Sequence, residues 1–267
     1  MIHPQALSPL RGLLCLCLLL GVPLSAVAQD PTLLLVSQEE DDGFYTTISD
    51  ALDAIPSVMG GHYVIEIRDD ETYEEQVNVD VNSSADATLT IRAGEGFTPG
   101  IVSDKKKKHA LTISSPFTTI EGLILRGGEE SSGLHIDWAD DVTVTNCEIR
   151  DAEKKDTPGV YIQGAQRALI ANNTIRENVV GILVYDAEDG GTTIRNNRVF
   201  DNSKRGVWIY KATANTTVVN NTLYNNKIEI HLGKSSKSGK KVAGKGNTFR
   251  NNIVVARDDD DYCIVLD

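Results

Sequence analysis

Six short segments, ALTI, GLHI, GVYI, GILV, GVWI and EIHL, recur between Ala110 and Leu232. Side chains alternate across a strand, so the residue after each inward apolar position faces outward. The outward row reads His135, Tyr161, Leu183, Trp208 and His231, and two places further on come Asp137, Gln163, Tyr185, Tyr210 and Gly233. His135 and Lys211 are the candidate general bases of this face, with Asp137 placed to orient a base or ligate a metal. Tyr161, Tyr185, Trp208 and Tyr210, with His231 beside them, form a candidate binding platform, because sugar rings present C–H faces to aromatic planes. The same aromatic row is also what strands select for packing against one another, and lone His and Lys side chains on a strand are commonly only solvated.

The elements that must position these residues are repeats. Leu111, Leu134, Val160, Ile182, Val207 and Ile230 stand in register at spacings of 23, 26, 22, 25 and 23. A second column of turn positions reads Glu121-Gly122, Asn146-Cys147, Asn172-Asn173, Asn196-Asn197, Asn220-Asn221 and Gly246-Asn247, at spacings of 25, 26, 24, 24 and 26. Two landmarks keeping one period establish internal repetition. Each unit holds about three short β-type runs and no room for a crossover helix, so it buries its apolar face only by stacking on its neighbours. Asn at the bends tolerates left-handed dihedrals and can bond its amide to the Asn of the next coil, which makes a ladder over positions 172, 196 and 220. After Asn247 the register is open, since NNIVV at Asn251 supplies either a turn or a strand.

On these residues, Gly94 to Val255 resembles a right-handed parallel β-helix of the pectin-lyase-like class. The segments GFYTTISDALDAIP and YVIEIRDDETYEEQVNV resemble the amino-terminal part of pectin methylesterases and other secreted β-helix proteins. Thr47 caps a predicted helix whose Ile48, Ala51, Leu52 and Ile55 make one apolar face ending at Pro56, expected to close the first coil. The predicted architecture is all-β: residues 1–28 a signal peptide, 29–60 a lead with the capping helix, and 61–267 the solenoid, uncapped at its carboxyl end. The resemblance implies a polysaccharide cleft on the aromatic face, approached by the loop Arg150–Pro158. It implies an activity on extracellular polysaccharide, such as β-elimination on a uronate chain. The alternative is a non-catalytic carbohydrate-binding or adhesin-like surface protein. The diagnostic motifs of pectate lyases, mannuronan epimerases, polygalacturonases and methylesterases are missing. Asp186 and Asp189, a conceivable carboxylate pair for hydrolysis, sit in a Gly-rich turn.

Composition narrows the partners. His3 and Arg11 precede the apolar run Gly12–Leu20, and Ala26-Val27-Ala28 is a small-residue cleavage site, which predicts export with cleavage near Ala28 to a secreted, periplasmic or extracellular location. No later window reaches the roughly 18 apolar residues of a membrane span. Removing residues 1–28 takes Arg11 away and moves the net charge from −12 to −13, which disfavours nucleic acid as a partner and requires a cation to bridge any acidic polysaccharide. Calcium is the candidate, with RDDDDY, Arg257–Tyr262, as a source of carboxylates. DKKKKH, Asp104–His109, reads as a solvated bend. Of four cysteines only Cys147 and Cys263 lie beyond the signal, about five coils apart, too far for a disulfide. The strand DYCIVLD at the end is expected to leave a sheet edge for a further module or a partner.

Overall fold

The computed structural model describes residues 30–39, 42–103, 107–233 and 244–266. The signal segment 1–28 and residues 104–106 of the lysine run lie outside the described residues. Each lap of chain lays one strand in each of three parallel sheets. The lap at Leu169–Ala171, Thr174–Arg176 and Val180–Tyr185 is typical. Among the described residues sheet 1 has nine strands and sheets 2 and 3 have eight each, and every strand between the ends of a sheet pairs with those one lap before and after. The fold is the right-handed parallel β-helix.

Three aliphatic columns fill the interior. The inward residues of sheet 3 pair as expected, Leu111 with Leu134, then Val160, Ile182, Val207 and Ile230. Ile120, Val144, Ile170, Ile194 and Val218 from sheet 1 join Leu125, Ile149, Ile175, Val199 and Leu223 from sheet 2, all fully buried. Each such side chain contributes about 1.5–3 kcal/mol of burial.

The laps turn where one residue adopts left-handed dihedrals. Between sheets 1 and 2 that residue is Asn146, Asn172, Asn196, Asn220 or Asn251, at φ of 56°, 60°, 57°, 57° and 55°. The expected ladder lies one residue further on. Asn173, Asn197, Asn221 and Asn252 are linked amide to amide, while Asn172 and Asn196 are exposed and joined by a single 3.3 Å bond. The double Asn therefore divides two tasks, a strained turn outside and a buried bond inside. Two of the aligned turns also shift. Thr145 pairs with Glu121, so Gly122 matches Asn146. Val219 pairs with Arg250, so Asn251-Asn252 is the turn and Gly246-Asn247 is not. Asn247 instead accepts from the Thr216 backbone at the preceding bend, and the last lap measures 31 residues from Asn221 to Asn252.

A second ladder, absent from the sequence reading, joins sheets 2 and 3. Asn178 donates to Asn202 at 3.0 Å and Asn202 to Asn226 at 2.9 Å. It ends on Glu229, which takes the Asn226 backbone N–H at 3.0 Å.

The helix Ile48–Asp53 starts at Thr47, whose hydroxyl accepts from Asp50, and packs Ile48, Ala51 and Leu52 over the first coil. It stops at Asp53, short of Pro56. The lead 29–60 is not separate from the solenoid: Thr32–Val36 pairs in parallel with Tyr63–Ile67 and begins sheet 1. At the far end Thr248–Arg250, Ile253–Val255 and Tyr262–Leu266 are the outermost strands, with Ile253, Tyr262, Ile264 and Leu266 exposed. Cys147 and Cys263 are free thiols.

Candidate functional site

The outward face of sheet 3 assembles from pairings that put like positions side by side. His135 pairs with Tyr161, Tyr161 with Leu183, Leu183 with Trp208 and Trp208 with His231. Asp137, Gln163, Tyr185 and Tyr210 align in the next row. With His109, which the sequence reading placed in a solvated bend, these rings form one continuous path. Ring centroids are 4.6 Å apart for His109 and His135, 4.7 Å for His135 and Tyr161, and 6.2 Å for Tyr161 and Tyr185. The path goes on at 5.2 Å to Tyr210, 4.7 Å to Trp208 and 5.7 Å to His231. Tyr161, Tyr185, Trp208 and Tyr210 pack around Leu183, Val179 and Val180, a small apolar cluster outside the main core.

The two histidines expected to be outward and exposed are buried. His135 is 9% exposed and His231 5%. His109 and Tyr161 cover His135, and Trp208 covers His231, whose Nδ1 accepts from Arg205 Nε at 2.8 Å. Burial is the largest influence on His135 and lowers its pKa against the opposing effects of Asp137 and Gln163. The pKa of His109 falls to about 4, chiefly by burial and also by the neighbouring His135, and its Nδ1 accepts from the Ser132 backbone at 2.9 Å.

Two cations lie on the rings. Arg205 Cζ is 4.0 Å from the centre of Trp208, and Lys211 Nζ is 4.6 Å from that of Tyr185. Lys211 is also ion-paired with Asp186, and hydrogen bonds to Asp186 and Tyr185 raise its pKa. Lys211 is therefore held protonated, which suits it to meet an anion and not to accept a proton. Lys204 bonds Asp156 at 2.9 Å and ties the loop Arg150–Pro158 to this face.

The candidate catalytic residues come together only in part. His135 Nε2 lies 3.9 Å from Asp137 Oδ1. Lys211 follows the strand three places along the sheet from theirs, roughly 14 Å away at one strand spacing per lap. Trp138 was missed, because it stands one place beyond the strand column, yet it is 62% exposed. Its ring covers Gly164 and borders a cleft of about 380 Å³ with Gln166, Asp186, Glu188 and Asp189.

Solved structures share this architecture. The pectate lyase Pel9A matches with a TM-score of 0.59 at 14% identity, over 86% of this chain and 62% of that one. The alginate lyase from Paenibacillus sp. str. FPU-7 matches with a TM-score of 0.62 at 16% identity, over 82% and 75%. The pectin methylesterase PemA from Erwinia chrysanthemi matches with a TM-score of 0.55 at 16% identity, over 82% and 78%. This chain thus spans less than two thirds of the pectate lyase, and the likeness is one of fold. No curated protein matches the sequence. No helix among the described residues is long and apolar enough to cross a membrane. A family model described as periplasmic copper-binding protein (NosD) matches residues 64–263, which is most of the solenoid, and the chain belongs to the NosD family.

Proposed function

We propose that this chain is an exported solenoid that binds an acidic polysaccharide along the outward face of sheet 3. The observation that carries the reading is the unbroken ring path from His135 to His231 with Lys211 and Arg205 lying on it. Half-buried rings offer sugar faces a rigid apolar surface, and cations on those rings meet carboxylates spaced along a chain. The signal-like segment and the periplasmic description of the family support export. The lyases and esterases among the structural neighbours support a glycan as ligand.

Binding accounts for the geometry better than β-elimination does. Elimination needs a base at the proton α to a uronate carboxylate and a cation at that same carboxylate. His135, kept neutral, has the protonation state of a base, but Lys211 lies three strands away and serves a different sugar.

The copper of the family description finds no matching donor set here. Among the described residues no three His, Cys, Asp or Glu side chains converge to hold a metal ion. His109 and His231 each spend Nδ1 on an N–H donor. Burial pushes the Cys147 thiol up to about 12, and Met59 is buried in the core. The calcium expected at Arg257–Tyr262 fares no better: Asp261 is 2.8 Å from Arg257, and Asp258 accepts from Asp260 within its own turn.

The test is glycan retention by the exported chain on pectate, alginate and neutral polymers, with and without calcium, while unsaturated uronate absorbance is followed. Retention of acidic glycans without absorbance is expected, weakened by Trp208→Ala. Retention of none of them overturns the proposal, and growing absorbance replaces it with a lyase.

A further inference from the structure

A second cleft lies on another face. It measures about 810 Å³, within the usual range for small-molecule sites, and opens over the outward side of sheet 1 near the capped end. Glu66, Arg92 and Glu121 form its floor on three successive strands, since Glu66 pairs with Arg92 and Arg92 with Glu121. Glu66 is buried and accepts from Arg68 Nε at 2.7 Å and from Arg92 Nε and Nη2 at 3.0 and 2.7 Å. Burial pushes the Glu66 pKa up, but the two guanidinium groups outweigh it and hold the carboxyl below its ordinary value. Each arginine carries five N–H donors in a planar fork. Three of the ten are spent on Glu66, and the two side chains remain 43% and 42% exposed along the cleft.

The walls are aromatic. Phe44 and Phe97 arrive from different loops to line the same space. Gly94 lets one wall close: a Cβ there would come within 3.2 Å of both Phe97 Cδ2 and Arg68 Cγ. Glu95 and Glu121 add acceptors, and Glu121 takes one bond from Asn146 Nδ2 at 3.2 Å.

We infer that this cleft is a second binding site, for a sugar ring bearing a single carboxylate. A guanidinium fork matches a carboxylate edge to edge, aromatic walls match the faces of a pyranose, and the glutamates match its hydroxyl donors. The charges select the class. The five charged groups sum to −1, Arg68 and Arg92 against Glu66, Glu95 and Glu121, so negative charge is admitted only against the two guanidinium forks and the outlying glutamates repel any second charge. A monoanion with hydroxyls fits that balance and a phosphate dianion does not. The inference is independent of the aromatic face of sheet 3.

The test titrates the full exported chain with galacturonate, glucuronate and mannuronate, with the neutral parent sugars and with a hexose phosphate, following the Phe ring signals by NMR. Uronates are expected to bind and shift Phe44 and Phe97. Arg68→Gln is expected to weaken them about tenfold, the scale of one charge-assisted pair. Arg68 is chosen because it gives Glu66 one hydrogen bond and Arg92 gives it two. Glu95→Gln is expected to tighten uronate binding, which a cleft of purely structural role would not do. The Phe44 and Phe97 signals report this cleft and glycan retention reports sheet 3, so failure here and failure there read out separately. Silence toward all uronates overturns the inference, as does binding that survives both Arg68→Gln and Phe97→Ala in folded protein. A preference for the phosphate overturns the ligand class.

Discussion

Asn173 and Asn197 are joined twice, for the Oδ1 of Asn197 accepts both the backbone N–H of Asn173 at 2.9 Å and its side-chain amide at 3.1 Å. The Nδ2 of Asn197 in turn donates to the Ile170 carbonyl and to Asn221 Oδ1, both at 2.9 Å. One buried side chain thus satisfies groups on the laps before and after its own.

Asn197→Ala is expected to cost about 2–4 kcal/mol, because it strands buried donors on Asn173 and a buried acceptor at Ile170. Asn196→Ala, its exposed neighbour at φ 57°, is expected to cost about 1 kcal/mol of backbone strain. Urea unfolding of both variants checks the division of labour, and equal losses would refute it.

The sequence carried the inward column faithfully because those positions admit only aliphatic residues of similar size. The turn column was less secure because it changes residue type. Gly122 replaces Asn where the left-handed turn needs no amide, and the 31-residue lap carries NN far from the expected place. The second ladder hides because the residue before each rung changes type, Glu177 before Asn178 and Asp201 before Asn202, and only Asn225-Asn226 repeats the double Asn. Burial of His135 and His231 was illegible for a different reason. It depends on His109 and Arg205, which reach them across strands and are not set by alternation. The cleft at Phe44 and Phe97 depends on two loops meeting, which no period encodes.

Trp208 lies between Tyr210 and His231 with Arg205 on its ring, so Trp208→Ala removes the centre of the platform. A loss of about 2–3 kcal/mol in stability is expected, with a roughly tenfold loss of acidic glycan affinity. Lys211→Met is expected to weaken the same glycan severalfold and to flatten its salt dependence, since it removes a cation and leaves the rings. Affinity measured across a salt series distinguishes the two.

Glu229 gives a pH signature. Burial raises its pKa from 4.5 to about 7, against the Asn226 hydrogen bonds that lower it. The unfolded chain loses this proton first, so the group favours folding fully below about pH 4.5, and its contribution falls as pH rises toward 7. His109 and His135 act in the opposite sense, because their lowered pKa values cost stability as pH falls below 6.5. The expected outcome is therefore a difference: between pH 5 and 8 the native chain loses about 1–3 kcal/mol relative to Glu229→Gln. Denaturant midpoints of the two proteins at both pH values check it, and parallel curves would contradict it.

Gly164 holds Trp138 in place by lacking a side chain. A Cβ at Gly164 would fall 2.4 Å from the Trp138 ring, and the residue stands at φ +64°. Gly164→Ala thus combines backbone strain of about 1 kcal/mol with expulsion of the indole. Gly96 is the control, since at φ +88° it carries the strain but a Cβ there meets nothing within 4 Å. The sequence has two tryptophans, so Trp208→Ala leaves Trp138 as the reporter. In that background Gly164→Ala is expected to change the emission of Trp138 and its quenching by iodide, and Gly96→Ala to change neither. An unchanged spectrum in both would mean that the ring does not rest on Gly164, and the small cleft beside Asp186 would lose its wall.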